Sequence, residues 1–126
     1  MKLDFIKNIN EYGDRIVRLY DFDMKEAQEF STSITNHIIR DKSDFRLTSA
    51  NYIQTQNCQL SLCLSEEDEG ITHLNQQEFI CKLTLASYRK MLLLIEPFCK
   101  KEMKSYQWLY EDIDNPIDFL FSPSGK

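Results

Sequence analysis

The sequence predicts an α+β fold in a single domain spanning 1–126, with a mostly antiparallel sheet and two helices packed on one face. Three observations carry that expectation. Cys58-Leu60-Leu62-Leu64 and Phe79-Cys81-Leu83-Leu85 alternate with mostly polar residues, the period of a strand buried on one face. Ala27-Phe30-Ile34-Ile38 and Tyr88-Met91-Leu92-Ile95-Phe98 recur every three or four positions, the period of one side of a helix. Finally, Tyr106-Trp108-Tyr110 and Ile117-Phe119-Phe121 flank Asp112-Ile113-Asp114-Asn115-Pro116, a composition suited to a hairpin turn.

Taken in order, Leu3 to Ile9 mixes apolar and polar residues and fits a short strand or a helical turn, and Tyr12-Gly13-Asp14 reads as a turn. Arg15 to Phe22 (RIVRLYDF) carries apolar residues on both parities, as a central strand covered on both faces does. Asp23 followed by Glu26 has the spacing of a capping box, and the helix it starts is expected to reach about Arg40. Asp41 to Asp44 forms a polar loop, and Phe45 to Ile53 leaves room for one more short strand. The strands at 58–64 and 79–85 are joined by SEEDEGITHLNQQ and are expected to pair antiparallel across it. Ser87 is the expected cap of the second helix. Pro97 is expected to end it near Glu96, because an interior proline lacks the amide donor and costs about 3 kcal/mol.

A chain of 126 residues with 42% hydrophobic content, three glycines and three prolines has enough apolar material for a packed core. The net charge of −5 is uneven: residues 1–63 hold 8 basic and 9 acidic groups, and residues 64–126 hold 7 and 11. A nucleic-acid backbone is therefore not the expected partner, since such binding needs a basic stripe. No run approaches the roughly 18 to 20 apolar residues of a membrane span, and the N-terminal MKLDFIKNINEY lacks the apolar centre of a signal peptide. The four cysteines suit a reducing compartment, so a cytoplasmic location is expected, with no membrane partner.

The cysteines at 58, 63, 81 and 99 do not have the spacing of paired zinc ligands. They are expected to be reduced, with Cys58 and Cys81 facing one core and Cys63 the opposite way. Glu66, Glu67, Asp68 and Glu69 lack the alternating ligand order of a calcium loop, and the steps Asp112 and Asp114 stop at Pro116 and Ile117. The terminal SPSGK has Leu120 where a phosphate-binding loop needs glycine, and no serine or threonine follows its lysine. No metal and no cofactor is implied. His37 falls on a helix and His73 in the acidic link, neither beside a defined nucleophile, so no catalytic residue is assigned. Trp108 is read chiefly as a core residue.

Two functions remain. The first is a small cytoplasmic protein–protein interaction domain, binding a protein with a basic surface through Glu66, Glu67, Asp68 and Glu69 together with Tyr106, Trp108 and Tyr110. The second is a small-molecule-binding protein or enzyme whose pocket combines His73 with Glu66, Glu67 or Glu69. A pocket lined by imidazole and carboxylates would favour the second, and a flat aromatic patch rimmed by acids the first.

Overall fold

The expected strands form, but they divide between two sheets. The computed structural model describes residues 1–7, 15–112 and 115–125. The turn at Tyr12-Gly13-Asp14 and part of the turn at Asp112 to Pro116 lie outside these residues. The first sheet has the order β4-β1-β2-β9-β8, formed by β4 (Gln54–Thr55), β1 (Lys2–Lys7), β2 (Arg15–Tyr20), β9 (Asn115–Ser122) and β8 (Gln107–Asp112). The second has the order β3-β5-β7-β6, formed by β3 (Phe45–Arg46), β5 (Gln59–Leu64), β7 (Glu78–Leu83) and β6 (Gly70–His73). β2 is central, as its two-sided apolar pattern requires: Val17 and Leu19 enter the core, and Ile16 is buried on the other face.

The expectation of one mostly antiparallel sheet needs correction. Both sheets are mixed: β1/β2, β3/β5, β6/β7 and β8/β9 pair antiparallel, whereas β1/β4, β2/β9 and β5/β7 pair parallel. The pairing of β5 with β7 is the instructive case. The acidic link between them contains β6, which folds back antiparallel on β7 and returns the chain to the starting end of β5. Two reversals leave β5 and β7 parallel, with Gln59 opposite Glu78 and Leu64 opposite Leu83.

The first helix, α1 (Met24–Ile34), begins with the expected capping box: Glu26 N–H donates to the Asp23 carboxylate, and Asp23 N–H donates to the Glu26 side chain. It runs on to Arg40 as a π-helical segment (Thr35–Arg40), closed by Asp41 N–H donating to the Asn36 carbonyl, and Ile38 stays in the core. The second helix, α2 (Leu85–Lys100), departs from expectation at both ends. Thr84 caps it in place of Ser87, and Pro97 lies inside it. Pro97 and Leu93 are both exposed, so the carbonyl that loses its partner faces water, which limits the penalty.

The helices pack against each other and bridge both sheets instead of lying on one face of one. Phe30 of α1 stacks 5.8 Å from Phe121 of the first sheet and lies 6.3 Å from Phe45 of the second. Phe98 of α2 meets Phe121 edge-on at 5.1 Å. Tyr88 of α2 reaches the second sheet, where its hydroxyl lies 2.8 Å from the Cys63 carbonyl and 3.0 Å from the Cys81 carbonyl. Among the described residues no helix is long and apolar enough to cross a membrane.

Candidate binding surface

The acidic stretch is not an unanchored loop. Thr84 N–H donates to Asp68 Oδ1 at 2.8 Å, and Ser87 Oγ donates to Asp68 Oδ2 at 2.6 Å, so Asp68 fastens the loop to the start of α2. Burial works to raise the Asp68 pKa, but the hydrogen bonds from Ser87 and Thr84 outweigh it and hold this carboxyl below the usual aspartate value. Glu69 is tied in as well: its N–H donates to the Lys82 carbonyl at 2.9 Å, and its carboxylate accepts from Ser65 Oγ at 2.9 Å. Glu66 and Glu67 are exposed. Of the four acids, two are committed to the fold and two project as charge.

The hairpin aromatics part company. A register shift between Trp108 and Tyr110 breaks the alternation of β8. Leu109, at 5% exposure, enters the core, and Trp108 is only partly buried and outside it, which corrects the reading of Trp108 as a core residue. Trp108 pairs with Leu120, whose neighbour in β2 is Arg18, which in turn faces Asp4 of β1. This row lies on the outer face of the first sheet. Arg18 there makes a two-point ion pair with Asp4, at 2.7 and 3.1 Å, and lies 4.0 Å over the Tyr20 ring. Tyr106, 54% exposed, meets Trp108 edge-on at 6.2 Å. Tyr110 pairs instead with Phe119 and packs on the core from the inner side. Burial first, then the neighbouring Asp112 and Asp68 carboxylates, push its phenol up to about 12. The structure therefore puts Tyr110 on the inner side, within electrostatic reach of Asp68, and leaves Tyr106 and Trp108 on the other face.

His73 stands apart from the glutamates. It closes β6 opposite Phe79, whereas Glu69 precedes the strand beside Lys82, a separation of about 13 Å at strand rise. Its ring lies 4.4 Å from Phe79 and 5.8 Å from Phe5. A cleft of about 680 Å³ opens beside it, lined by Phe5, Lys7, Arg15 and the 75–77 turn, with none of Glu66, Glu67 or Glu69 in the lining. The expected pairing of imidazole with carboxylate is thus not assembled. Lys7 and Arg15 were not anticipated, although they sit in phase with the apolar stripes of β1 and β2 and strand parity could have found them.

No family model and no curated protein matches the chain.

The cysteines sit largely as parity demands. Cys58 and Cys81 belong to the shared core, and Cys63 is buried outside it on the opposite side of β5. Burial pushes the thiols of Cys58 and Cys81 up to about 12. Burial and then the Asp44 carboxylate raise Cys63 to about 11. All four are free thiols; burial also raises partly exposed Cys99, and the elevated values of Cys58, Cys63 and Cys81 disfavour their thiolate forms. His37 likewise stacks on Phe45 at 5.0 Å as a packing residue.

Proposed function

We propose that the protein is a small cytoplasmic interaction domain that binds a basic protein surface through Glu66 and Glu67, with Tyr110 beside them. The observation that carries this reading is the anchoring of the loop by Asp68, which lies within electrostatic reach of Tyr110. The anchor fixes two exposed carboxylates at a defined place, so less ordering is needed when a partner docks. The free cysteines agree with a reducing compartment. Asp68 and Glu69 serve the fold, and Tyr106 and Trp108 lie on another face, so neither pair belongs to the contact.

The test begins with partner capture from the source cell by the wild-type protein, followed by association rates for wild type, Glu66→Gln/Glu67→Gln and Trp108→Ala. Exposed charges act mainly on the association rate and are screened over about 8 Å at physiological salt. The double variant is expected to associate more slowly at low salt, with the gap closing at high salt, and Trp108→Ala to match wild type. Equal rates for the double variant at both salts remove the loop from the interface.

A further inference from the structure

Where the inward-facing stripes of β1 and β2 run out of the core, two cations face each other. Leu3 and Phe5 of β1, and Leu19 and Val17 of β2, pack into the core, and the next positions in the same phase are the cross-strand partners Lys7 and Arg15. Like charges directly opposed in an antiparallel pair destabilise it. Among the described residues neither has an ion-pair partner. Among the described residues, neither packing nor charge balance explains the pair.

The surroundings supply the rest of a site. Phe5 and His73 give the cleft an aromatic wall, with Phe79 behind them. Phe5 is fixed at its backbone, since its N–H donates to Asn57 Oδ1 at 2.8 Å and its carbonyl accepts from Asn57 Nδ2 at 3.0 Å. The facing turn is also preformed: Asn75 Oδ1 accepts from the N–H groups of Gln77 and Glu78 at 3.0 Å each. That leaves the Gln76 and Gln77 carboxamides at the cleft as further donors. The cleft volume of about 680 Å³ suits a small organic molecule.

We propose that this cleft binds a small phosphate monoester built on a flat ring, with the ring against Phe5 and His73 and the phosphate between Lys7 and Arg15. Charge chooses the headgroup. A phosphate monoester carries about −1.5 to −2 at pH 7 and balances two cations, where a carboxylate balances one. The guanidinium fork of Arg15 matches two phosphate oxygens, and Lys7 adds a point charge. The site stands apart from the acidic loop, so the proposal holds or falls independently of the protein-binding reading.

Phenyl phosphate is the probe, titrated into isotope-labelled protein and followed by amide and imidazole NMR shifts, with phenol and inorganic phosphate as separate arms. Saturable shifts are expected at Phe5, His73 and the 75–77 turn, with phenyl phosphate binding tighter than either fragment. Arg15→Gln is expected to weaken binding by roughly tenfold or more, the loss of one charge-assisted contact. Because that substitution also removes a like-charge opposition, its unfolding midpoint should not fall, which separates lost binding from lost fold. Lys7→Gln should weaken binding in the same direction. The proposal is overturned if shifts are absent, do not saturate or map elsewhere, if phenyl phosphate binds no better than inorganic phosphate, or if Arg15→Gln binds as wild type does.

Discussion

Replacing Asp68 with alanine should destabilise the protein, whereas neutralising its acidic neighbours should not. In the native fold Asp68 accepts from Thr84 N–H at 2.8 Å and from Ser87 Oγ at 2.6 Å. Thr84 is the N-cap of α2, and its own Oγ1 accepts from Ser87 N–H at 3.2 Å. Asp68→Ala therefore removes a second capping layer and a negative charge beside the positive end of the helix dipole. The released donors can reach water, so no full desolvation penalty applies. A lost cap is worth about 1 kcal/mol and a lost dipole contact about 0.3 to 1 kcal/mol, giving roughly 1 to 2 kcal/mol in all. Glu66→Gln/Glu67→Gln should stay within about 0.5 kcal/mol. In urea, with a slope of about 1 to 3 kcal/mol per molar, Asp68→Ala should lower the midpoint by roughly 0.3 to 2 M without changing the slope. The sign with pH follows from a carboxyl held below its usual value of 3.8 in the folded state. Its contribution is present above the unfolded pKa and is lost as pH falls through the lower folded value. The gap between wild type and Asp68→Ala should accordingly be full at neutral pH and shrink below pH 3.8. An unchanged midpoint for Asp68→Ala, or an equal loss in the double variant, would refute the division of labour within the loop.

Two further outcomes follow from the buried groups. Tyr88→Phe should cost about 1 to 2 kcal/mol, because its hydroxyl is the contact to the Cys63 and Cys81 carbonyls, and the loss should appear as a fall in Tm of roughly 4 to 8 °C; an unchanged Tm would show that these carbonyls do not depend on Tyr88. Thiol labelling of the native protein should modify partly exposed Cys99 first and fully buried Cys81 last, with rates rising as pH approaches the elevated thiol pKa values; Cys81 labelling as fast as Cys99 would contradict its place in the core.

Features set by neighbours in sequence were legible. The capping box at Asp23 and Glu26, the alternation through Leu60, Leu62, Phe79, Cys81 and Leu83, and the hairpin of β8 and β9 all form as local pattern predicts. Partner choice was less legible because it depends on distant short segments. β6 is four residues, GITH, with two exposed, and offers no period to read, yet it decides that β5 and β7 run parallel. β4 is two residues, and its place beside β1 depends on backbone bonds from Gln54 N–H to Met1 O and from Gln56 N–H to Leu3 O. Propensity could offer Ser87 or Thr84 as the cap of α2; Asp68, sixteen residues before Thr84, is tied to both and helps to hold the start of the helix.

The same distinction runs through the candidate site. Acidic and aromatic residues were visible as composition, but composition does not say which face a residue takes, and one irregularity in a strand is enough to reassign it. On β8 the shift between Trp108 and Tyr110 lets Leu109 into the core, aligns Trp108 with Leu120 on the outer face, and aligns Tyr110 with Phe119 on the inner one. Three aromatics in strict alternation would have shared a face with one another and could have served one partner together. With the shift, Tyr110 takes the inner side, within electrostatic reach of Asp68, while Trp108, with Tyr106 against it, joins the row of Leu120, Arg18 and Asp4. At Lys7 and Arg15 the opposite holds: β1 and β2 pair without a register break, so both cations stay in phase with the core stripe and come to the mouth of the cleft beside His73. Regular register put charge where only parity pointed to it, and broken register separated aromatics that parity had grouped.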